Sequence, residues 1–245
     1  MQIVDAATCI GTRPEDERAL DVTTLLHEMD RAGVAQALCT HFCAVRYHAR
    51  TGNAILKGLC AREPRLYPVA IVNPAPYLGV RDEIRRCAQE GFVGFRFVPH
   101  AQGWSLESEP FYAALEAVAV TGLPLAVELS ASGEATRLAR IVEGLDVPVI
   151  LAHITYSILG EAVGVMKRHA NLYLEAHRLV TPGVVELLVA ELGPERLLFA
   201  SGAPYWEIVP TLSMICEADL SEEAKSAILG GNACRLFKLV PGERA

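Results

Sequence analysis

Short apolar runs alternate along this chain with longer segments in which apolar residues recur every three or four positions. The short runs are rich in β-branched residues, as strands are, and the longer segments have the periodicity of amphipathic helices. The pattern predicts eight strands, at Gln2–Thr8, Ala35–His41, Leu66–Asn73, Val93–Pro99, Leu123–Leu129, Pro148–His153, Asn171–His177 and Leu197–Ser201. It predicts helices between them at Thr23–Gly33, Asn53–Arg62, Arg81–Glu90, Glu109–Val120, Ala135–Glu143, Gly160–His169, Pro182–Leu192 and Glu207–Cys216, and a last one beginning near Ser221.

Eight such βα units favour a closed barrel of parallel strands. A right-handed crossover repeated eight times brings the last strand back beside the first. The 245 residues suit one (β/α)₈ TIM barrel, so we expect residues 1–245 to form a single domain. An open doubly wound sheet is the alternative, and it is less favoured because no Gly-x-Gly-x-x-Gly loop follows the first strand.

Charge and composition narrow the class of partner. The net charge of −7 argues against a broad surface for nucleic acid phosphates. No apolar run reaches the roughly 18 residues of a membrane span, and the first strand leaves no room for a signal peptide before it. We therefore expect a cytoplasmic protein that binds a small molecule and neither nucleic acid nor membrane. The apolar segment Val184–Val189 leaves room for a homodimer interface.

Titratable residues gather where the predicted strands end, which is where barrel enzymes place their reacting groups. Alternation along a strand puts Glu175 and His177 on one face, and Val149, Leu151 and His153 on one face. Neighbouring strands lie about 4.8 Å apart, so side chains from three adjacent strands can approach a common centre. The resulting set is Glu128, His153 and His177.

These residues support two kinds of chemistry. Glu128, His153 and His177 can bind zinc or another divalent metal that activates water, since one carboxylate and two imidazoles form a known catalytic ligand set. Without a metal, Glu128 or Glu175 is the candidate general base and His153 or His177 the candidate general acid. Candidate substrate-binding residues are two arginines for a carboxylate, two further histidines and an aromatic wall, namely Arg96, Arg178, His41, His100, Tyr205 and Trp206.

Short motifs also form an ordered series over nearly the whole chain. They are Ile3–Ala6, Leu26–Val34, Glu90–Arg96, Gly122–Val127, Pro148–His153, Glu195–Ser201 and Gly231–Phe237. This series resembles the amidohydrolase-related branch of the amidohydrolase superfamily, which contains small-molecule hydrolases and nonoxidative decarboxylases. The resemblance implies a TIM barrel and a hydrolase or lyase lineage.

The resemblance also implies where a metal would bind. That family uses a His-x-His pair ending strand 1, a His or modified Lys on strand 5, a His on strand 6 and an Asp on strand 8. The matching positions hold Ala7 and Cys9, then Glu128, His153 and Gly202. Two of these residues have no side-chain donor, although a cysteine thiolate is a strong zinc ligand. We therefore expect an altered, metal-free site without a cofactor, acting on a small carboxylate-bearing molecule.

Two alternatives stay open at this point. The chain can be a relative without catalytic activity that binds a small molecule or a partner subunit through the pocket that other members of the family use as their active site. It can also be an enzyme with a rebuilt zinc site formed by Glu128, His153 and His177, with Cys9 or Glu175 as a further ligand.

Overall fold

The computed structural model describes residues 2–12, 19–179 and 181–240. Its strands are β1 (Val4–Thr12), β2 (Ala19–Leu20), β3 (Gln36–His41), β4 (Leu66–Val72), β5 (Gly94–Phe97), β6 (Leu125–Glu128), β7 (Val149–Ala152), β8 (Leu172–Glu175) and β9 (Leu197–Leu198). They form one sheet in the order β2-β1-β3-β4-β5-β6-β7-β8-β9. Strand β2 is antiparallel to β1, and the remaining neighbours are parallel.

Helices connect the strands and cover the sheet. They are α1 (Val22–Ala32), α2 (Phe42–Arg46), α3 (Ala49–Cys60), α4 (Val80–Gln89), α5 (Pro99–Gln102), α6 (Glu109–Thr121), α7 (Glu134–Ile141), α8 (Tyr156–Met166), α9 (Val184–Leu192), α10 (Ile208–Cys216), α11 (Glu222–Ser226) and α12 (Asn232–Phe237). Helix α1 ends as predicted at Gly33, whose φ of 71° is a left-handed conformation that glycine adopts without steric cost. None of the described helices combines the length and the apolar character needed to cross a bilayer.

The two ends of the sheet meet, which closes the eight parallel strands into a TIM barrel. The amide of Ala6 donates to the carbonyl of Phe199 at 2.9 Å, and the amide of Cys9 donates to the carbonyl of Ala203 at 2.8 Å. Both bonds join β1 to the segment that continues β9. The predicted barrel is confirmed, and the open sheet was the wrong alternative.

Alternate strand residues pack in two separate layers. Residues such as Val127 and Leu174 pack outward with the helices. The barrel interior is filled by Val4, Leu38, Val69, Ile150 and Leu198, together with Leu236 and Phe237 of α12. Since a Cβ on Gly94, the first residue of β5, would meet the Phe237 ring at 2.8 Å, α12 covers the end of the barrel where the strands begin. The opposite end is left for a site.

The prediction for β7 was wrong in one respect. Ile150 and Ala152 belong to the interior layer, whereas Val149 and Leu151 pack outward with the helices. Alternation alone would therefore turn the next residue, His153, away from the interior. His153 instead has a φ of 63°, a left-handed conformation uncommon outside glycine, and this ends the strand and brings the side chain to the cavity.

Three short elements, β2, α2 and α5, were not predicted. Each has between 2 and 5 residues, which is too short for a hydrophobic period to show. Helices α2 and α5 nevertheless carry Arg46 and His100 to the site.

Candidate active site

A cavity of about 400 Å³ lies at the ends of the strands where their carboxyl termini meet. This volume is typical of small-molecule sites. Its lining includes eight of the candidate site residues predicted from the sequence, namely Cys9, Arg96, His100, Glu128, His153, His177, Tyr205 and Trp206. Strand ends thus bring most of the candidate residues together, as expected for a barrel.

A buried arginine joins two carboxylates in the wall of this cavity. Arg96 lies on β5, and its Nη1 donates to Oε1 of Glu128 at 3.3 Å while its Nη2 contacts Oε1 of Glu175. Burial disfavours the charged guanidinium, but the nearby Glu175 and Glu128 raise the pKa of Arg96 overall. Burial also raises the pKa of Glu175 to about 7, against the effect of Arg96. Arg96 is therefore a permanent positive charge in the wall of the cavity.

Glu175 is the last residue of β8, and His177, two residues later, lies on the same face of the chain, as alternation predicts. His177 Nδ1 is 3.5 Å from Glu175 Oε2, and neither atom has a hydrogen-bond partner among the described residues. Burial lowers the pKa of His177 to about 3, and the charge of Arg96 acts in the same direction. His177 is therefore a neutral imidazole at pH 7, which is a poor proton donor.

A second arginine, Arg178, lies outside the lining of the cavity and beside His153, which belongs to that lining. Arg178 contacts Nε2 of His153, and its guanidinium carbon is 5.2 Å from the ring centre of Trp206. Because arginine can only donate, Nε2 accepts, and the neutral His153 ring carries its proton on Nδ1. Burial lowers the pKa of His153, while Glu128 opposes and Arg178 supports that shift. His153 is thus a neutral imidazole that borders both the cavity and a cation.

One residue of the site, Glu134, was missed in the sequence. It is the first residue of α7, and its Oε1 lies 2.9 Å from Nε2 of His100. Its Oε2 accepts from the backbone amides of Ser130 and Ala131 at 2.8 and 3.0 Å. Burial favours the neutral carboxyl, but these two amides and His100 lower the pKa of Glu134 overall. The available signal was an acidic residue at the start of a helix. The amides that bind this carboxylate belong to the loop before α7, which the sequence pattern does not show.

A buried carboxylate, Asp5, was also missed. Its Oδ1 accepts from the amides of Ala7 at 3.1 Å and Ser201 at 2.9 Å. Burial raises the pKa of Asp5 to about 6, although the hydrogen bonds from Ser201 oppose this. Asp5 therefore links β1 to the segment after β9 at the closure of the barrel.

His41 lies outside the lining of the cavity, in contrast to the other predicted histidines. Its Nδ1 accepts from the amide of Cys43 at 3.1 Å, so the side chain caps α2. Its ring packs against Gly11, where an added Cβ would lie 3.0 Å from ring atoms. The contacts explain His41 as a structural residue, and its role in substrate binding stays a prediction.

The donor atoms at this site do not fit the metal that the family pattern implies. In the described segments, no three His, Cys, Asp or Glu side chains are placed to hold one ion. A Cβ on Gly202, the aspartate position, would lie 2.9 Å from Trp206 Cδ1 and 3.3 Å from His177 Cδ2. Burial raises the pKa of the Cys9 thiol to about 12, which disfavours the thiolate that a metal requires.

A closed (β/α)₈ barrel with a cavity at the carboxyl ends of its strands places the chain in the class of TIM-barrel proteins. Within this class, the family model described as Amidohydrolase matches residues 8–239. The chain therefore belongs to the amidohydrolase family. No curated protein sequence matches it significantly.

Several solved structures share this fold. The 5-carboxyvanillate decarboxylase of Sphingomonas paucimobilis is 19% identical and superposes with a TM-score of 0.80, covering 98% of this chain and 99% of that one. The 2,6-dihydroxybenzoate decarboxylase of Rhizobium is 18% identical with a TM-score of 0.76, covering 98% and 99%. A dihydroxybenzoic acid decarboxylase of Polaromonas sp. JS666, solved with manganese and the inhibitor 2-nitroresorcinol, is 18% identical with a TM-score of 0.78, covering 97% of each chain. At these identities the similarity establishes the fold.

Proposed function

We propose that this protein is a metal-independent hydrolase or lyase that acts on a small carboxylate-bearing molecule in the cavity. The observation that carries the proposal is the buried guanidinium of Arg96 between Glu128 and Glu175. A metal ion held by Glu128 would lie beside this fixed positive charge, and the two cations would repel each other in a site of low polarity. Arg96 thus supplies the positive charge that a metal supplies in other members of the family.

Glu128 is the residue best placed to act as the general base. Its side chain lines the cavity and is 32% exposed, whereas that of Glu175 is 2% exposed and lies outside the lining. The hydrogen bond from Arg96 fixes the orientation of the Glu128 carboxylate. From this position, Glu128 removes a proton from an attacking water or from a substrate hydroxyl.

Arg178 is the better of the two predicted carboxylate-binding arginines. Arg96 already contacts two carboxylates, so a third would be repelled by Glu128 and Glu175. The described contacts of Arg178 are with a neutral imidazole, His153, and an aromatic ring, Trp206, and neither cancels its charge. An arginine stacked on an aromatic face keeps N–H groups for a carboxylate.

The solved neighbours support a carboxylate as substrate. Those from Sphingomonas paucimobilis and Rhizobium are decarboxylases of carboxyvanillate and dihydroxybenzoate. The aromatic side chains of Tyr205 and Trp206 in the cavity lining suit a flat, apolar body attached to the carboxylate.

The test is turnover of a panel of lactones and aromatic carboxylic acids by the purified protein, with EDTA, with added manganese and with added zinc. We expect turnover that EDTA leaves unchanged, and a loss of about 10²- to 10⁴-fold in kcat for Glu128→Gln. The matched control is Glu191→Gln, which removes an exposed carboxylate that pairs with Lys167 on the outer helices.

Two results would contradict the proposed function, and each would support a different one. About one metal ion per chain in protein purified without added metal or chelator, lost from the Glu128→Ala/His153→Ala variant, would establish the rebuilt zinc site instead. Thermal stabilisation by compounds of the panel without turnover would establish a binding protein instead of an enzyme.

A further inference from the structure

The proposed cleavage needs a proton donor as well as a base. His153 and His177 are less suited to that role, because neither ring is hydrogen-bonded to a carboxylate: His153 contacts Arg178, and Nδ1 of His177 has no hydrogen-bond partner among the described residues. His100 has a different environment. Among the described residues that line the cavity, it is the histidine hydrogen-bonded to a carboxylate, that of Glu134.

We propose that His100 is the general acid of this site and that Glu134 is its positioning residue. The inference rests on the proposed function and names the group that completes it. A carboxylate beside an imidazole stabilises the imidazolium and fixes the ring, as it does in other acid–base pairs of this type.

The geometry of the pair sets which nitrogen faces substrate. An ionised carboxylate only accepts hydrogen bonds, so Nε2 of His100 is protonated and donates a hydrogen bond to Oε1 of Glu134 at 2.9 Å. This leaves Nδ1 as the nitrogen that exchanges a proton with substrate. The His100 side chain is 52% exposed and the Glu134 side chain is 11% exposed, so the imidazole reaches the cavity while the carboxylate stays behind it.

Glu134 is itself held rigidly. The amides of Ser130 and Ala131 both donate to its Oε2, and these bonds keep the carboxylate ionised and oriented. Its second oxygen is therefore directed to His100 before any substrate binds, which is the requirement for an effective positioning residue.

The charges around His100 come from several elements. The cavity is also lined by Arg46 of α2, Arg96 of β5, Glu128 of β6 and the imidazoles of His153 and His177. Of these charged groups and Glu134, the carboxylate of Glu134 is the one that the described hydrogen bonds join to His100.

Glu128 and His100 together account for every proton that moves in a hydrolysis. Glu128 takes a proton from water as the water oxygen bonds to the carbonyl carbon. The bond from that carbon to the leaving oxygen breaks, and Nδ1 of protonated His100 gives its proton to the leaving oxygen. Glu128 then loses a proton to solvent and His100 gains one, so nothing is oxidised or reduced.

The test uses whichever compound of the lactone and carboxylic acid panel is turned over. We expect His100→Gln to lower kcat by about 10²- to 10⁴-fold with little change in KM, and to remove the fall of kcat at alkaline pH that deprotonation of a general acid causes. Glu134→Gln is expected to lower kcat by about 10- to 100-fold. Exposed residues of the outer helices, changed as His27→Gln and Glu191→Gln, serve as matched controls.

A second measurement does not depend on turnover. In ¹⁵N-histidine NMR of the full chain, His100 is expected to show the Nε2-protonated form, and Glu134→Gln is expected to weaken that preference. A His100→Gln enzyme that keeps its alkaline fall in kcat would overturn the inference and leave the proposed function intact. If the wild-type protein turns over no compound of the panel, the proposed function itself is contradicted. If the ¹⁵N signals of His100 are the same in the wild type and in Glu134→Gln, the pairing of His100 with Glu134 is contradicted.

Discussion

Single backbone conformations decide much of this site. His153 and Gly202 follow β7 and β9 with φ angles of 63° and 76°, both in the left-handed region that most residues avoid. The first brings an imidazole to the cavity, and the second lets Trp206 and His177 occupy the space where a side chain would project. The aspartate of the family pattern is therefore excluded here by geometry as well as by sequence.

Restoring that aspartate should fail. In Gly202→Asp, the new Cβ would come within 2.9 Å of the Trp206 ring at a backbone angle that already strains any L-residue. We expect the free energy of unfolding in urea to fall by about 2–5 kcal/mol, with no gain in manganese or zinc binding.

The control separates crowding from backbone strain. Gly144 has a similar φ of 81° with nothing within 4 Å of an added Cβ, so Gly144→Asp should cost only the strain, about 1 kcal/mol. Equal losses for the two variants would show that Trp206 and His177 do not fill the position.

His177 should make the fold sensitive to acid. Its pKa is about 3 in the fold and 6.5 ordinarily, so between these values the unfolded chain binds the extra proton. This contribution to stability is complete above pH 6.5 and is lost as the pH falls towards 3, by up to about 1.4 kcal/mol per pH unit.

The measurement is the free energy of unfolding of the wild type and His177→Gln at several pH values from 4 to 7. The raised pKa values of Glu175 and Asp5, about 7 and 6, act in the opposite sense, because protonation favours the fold there. The difference between the two proteins isolates His177. We expect the stability of the variant relative to wild type to rise as the pH falls; parallel curves would argue against a neutral, buried ring.

At the scale of elements, barrel closure depends on Asp5 as well as on backbone pairing. Asp5→Ala would leave the amides of Ala7 and Ser201 without their side-chain acceptor at a fully buried point. We expect a loss of about 2–4 kcal/mol in urea unfolding and faster hydrogen exchange at the Ser201 amide. Asp5→Asn keeps an oxygen acceptor and should lose less; similar losses for both would mean that the two hydrogen bonds contribute little.

The predicted elements agree with the structure where a hydrophobic period could be followed over many residues. The helix predicted at Glu109–Val120 is observed as α6 at Glu109–Thr121, and the helix predicted at Gly160–His169 is observed as α8 at Tyr156–Met166. Helix α2 was missed because it depends on its surroundings: His41 caps it and α3 packs against it. Short elements of this kind are stabilised by tertiary contacts instead of by their own periodicity.

At the scale of the molecule, the C-terminal segment completes the barrel. Phe237 is 6% exposed within the interior cluster, and Gln36 of β3 donates to the carbonyl of Val240 at 2.8 Å. Residues far apart in sequence therefore close the end of the barrel opposite the cavity, and the stability of the site depends on a distant part of the chain.

Phe237→Ala tests this dependence. Removing a buried aromatic ring should lower the free energy of unfolding by about 3–5 kcal/mol in urea. Leu187→Ala, on the exposed face of α9 where the side chain is 53% exposed, should change it by less than about 0.5 kcal/mol. A loss for Phe237→Ala no larger than that of the control would mean that α12 is dispensable for the barrel.

The sequence by itself determined the order of strands and helices, the closed barrel, the family, and the types of residue at the strand ends. These follow from local periodicity and from motifs that lie within a few residues of one another. It also placed the candidate residues Glu128, His153 and His177 at the end of the barrel where the cavity lies, because a strand ends at or near each of them.

Only the tertiary structure decided what those groups can do. The partners of Arg96 lie 32 and 79 positions away, and Glu134 lies 34 positions from His100. A pKa is set by burial and by charges across space, and no local pattern contains either quantity. The same limit applies to His153, whose direction depends on one backbone angle that the alternation of a strand does not foresee.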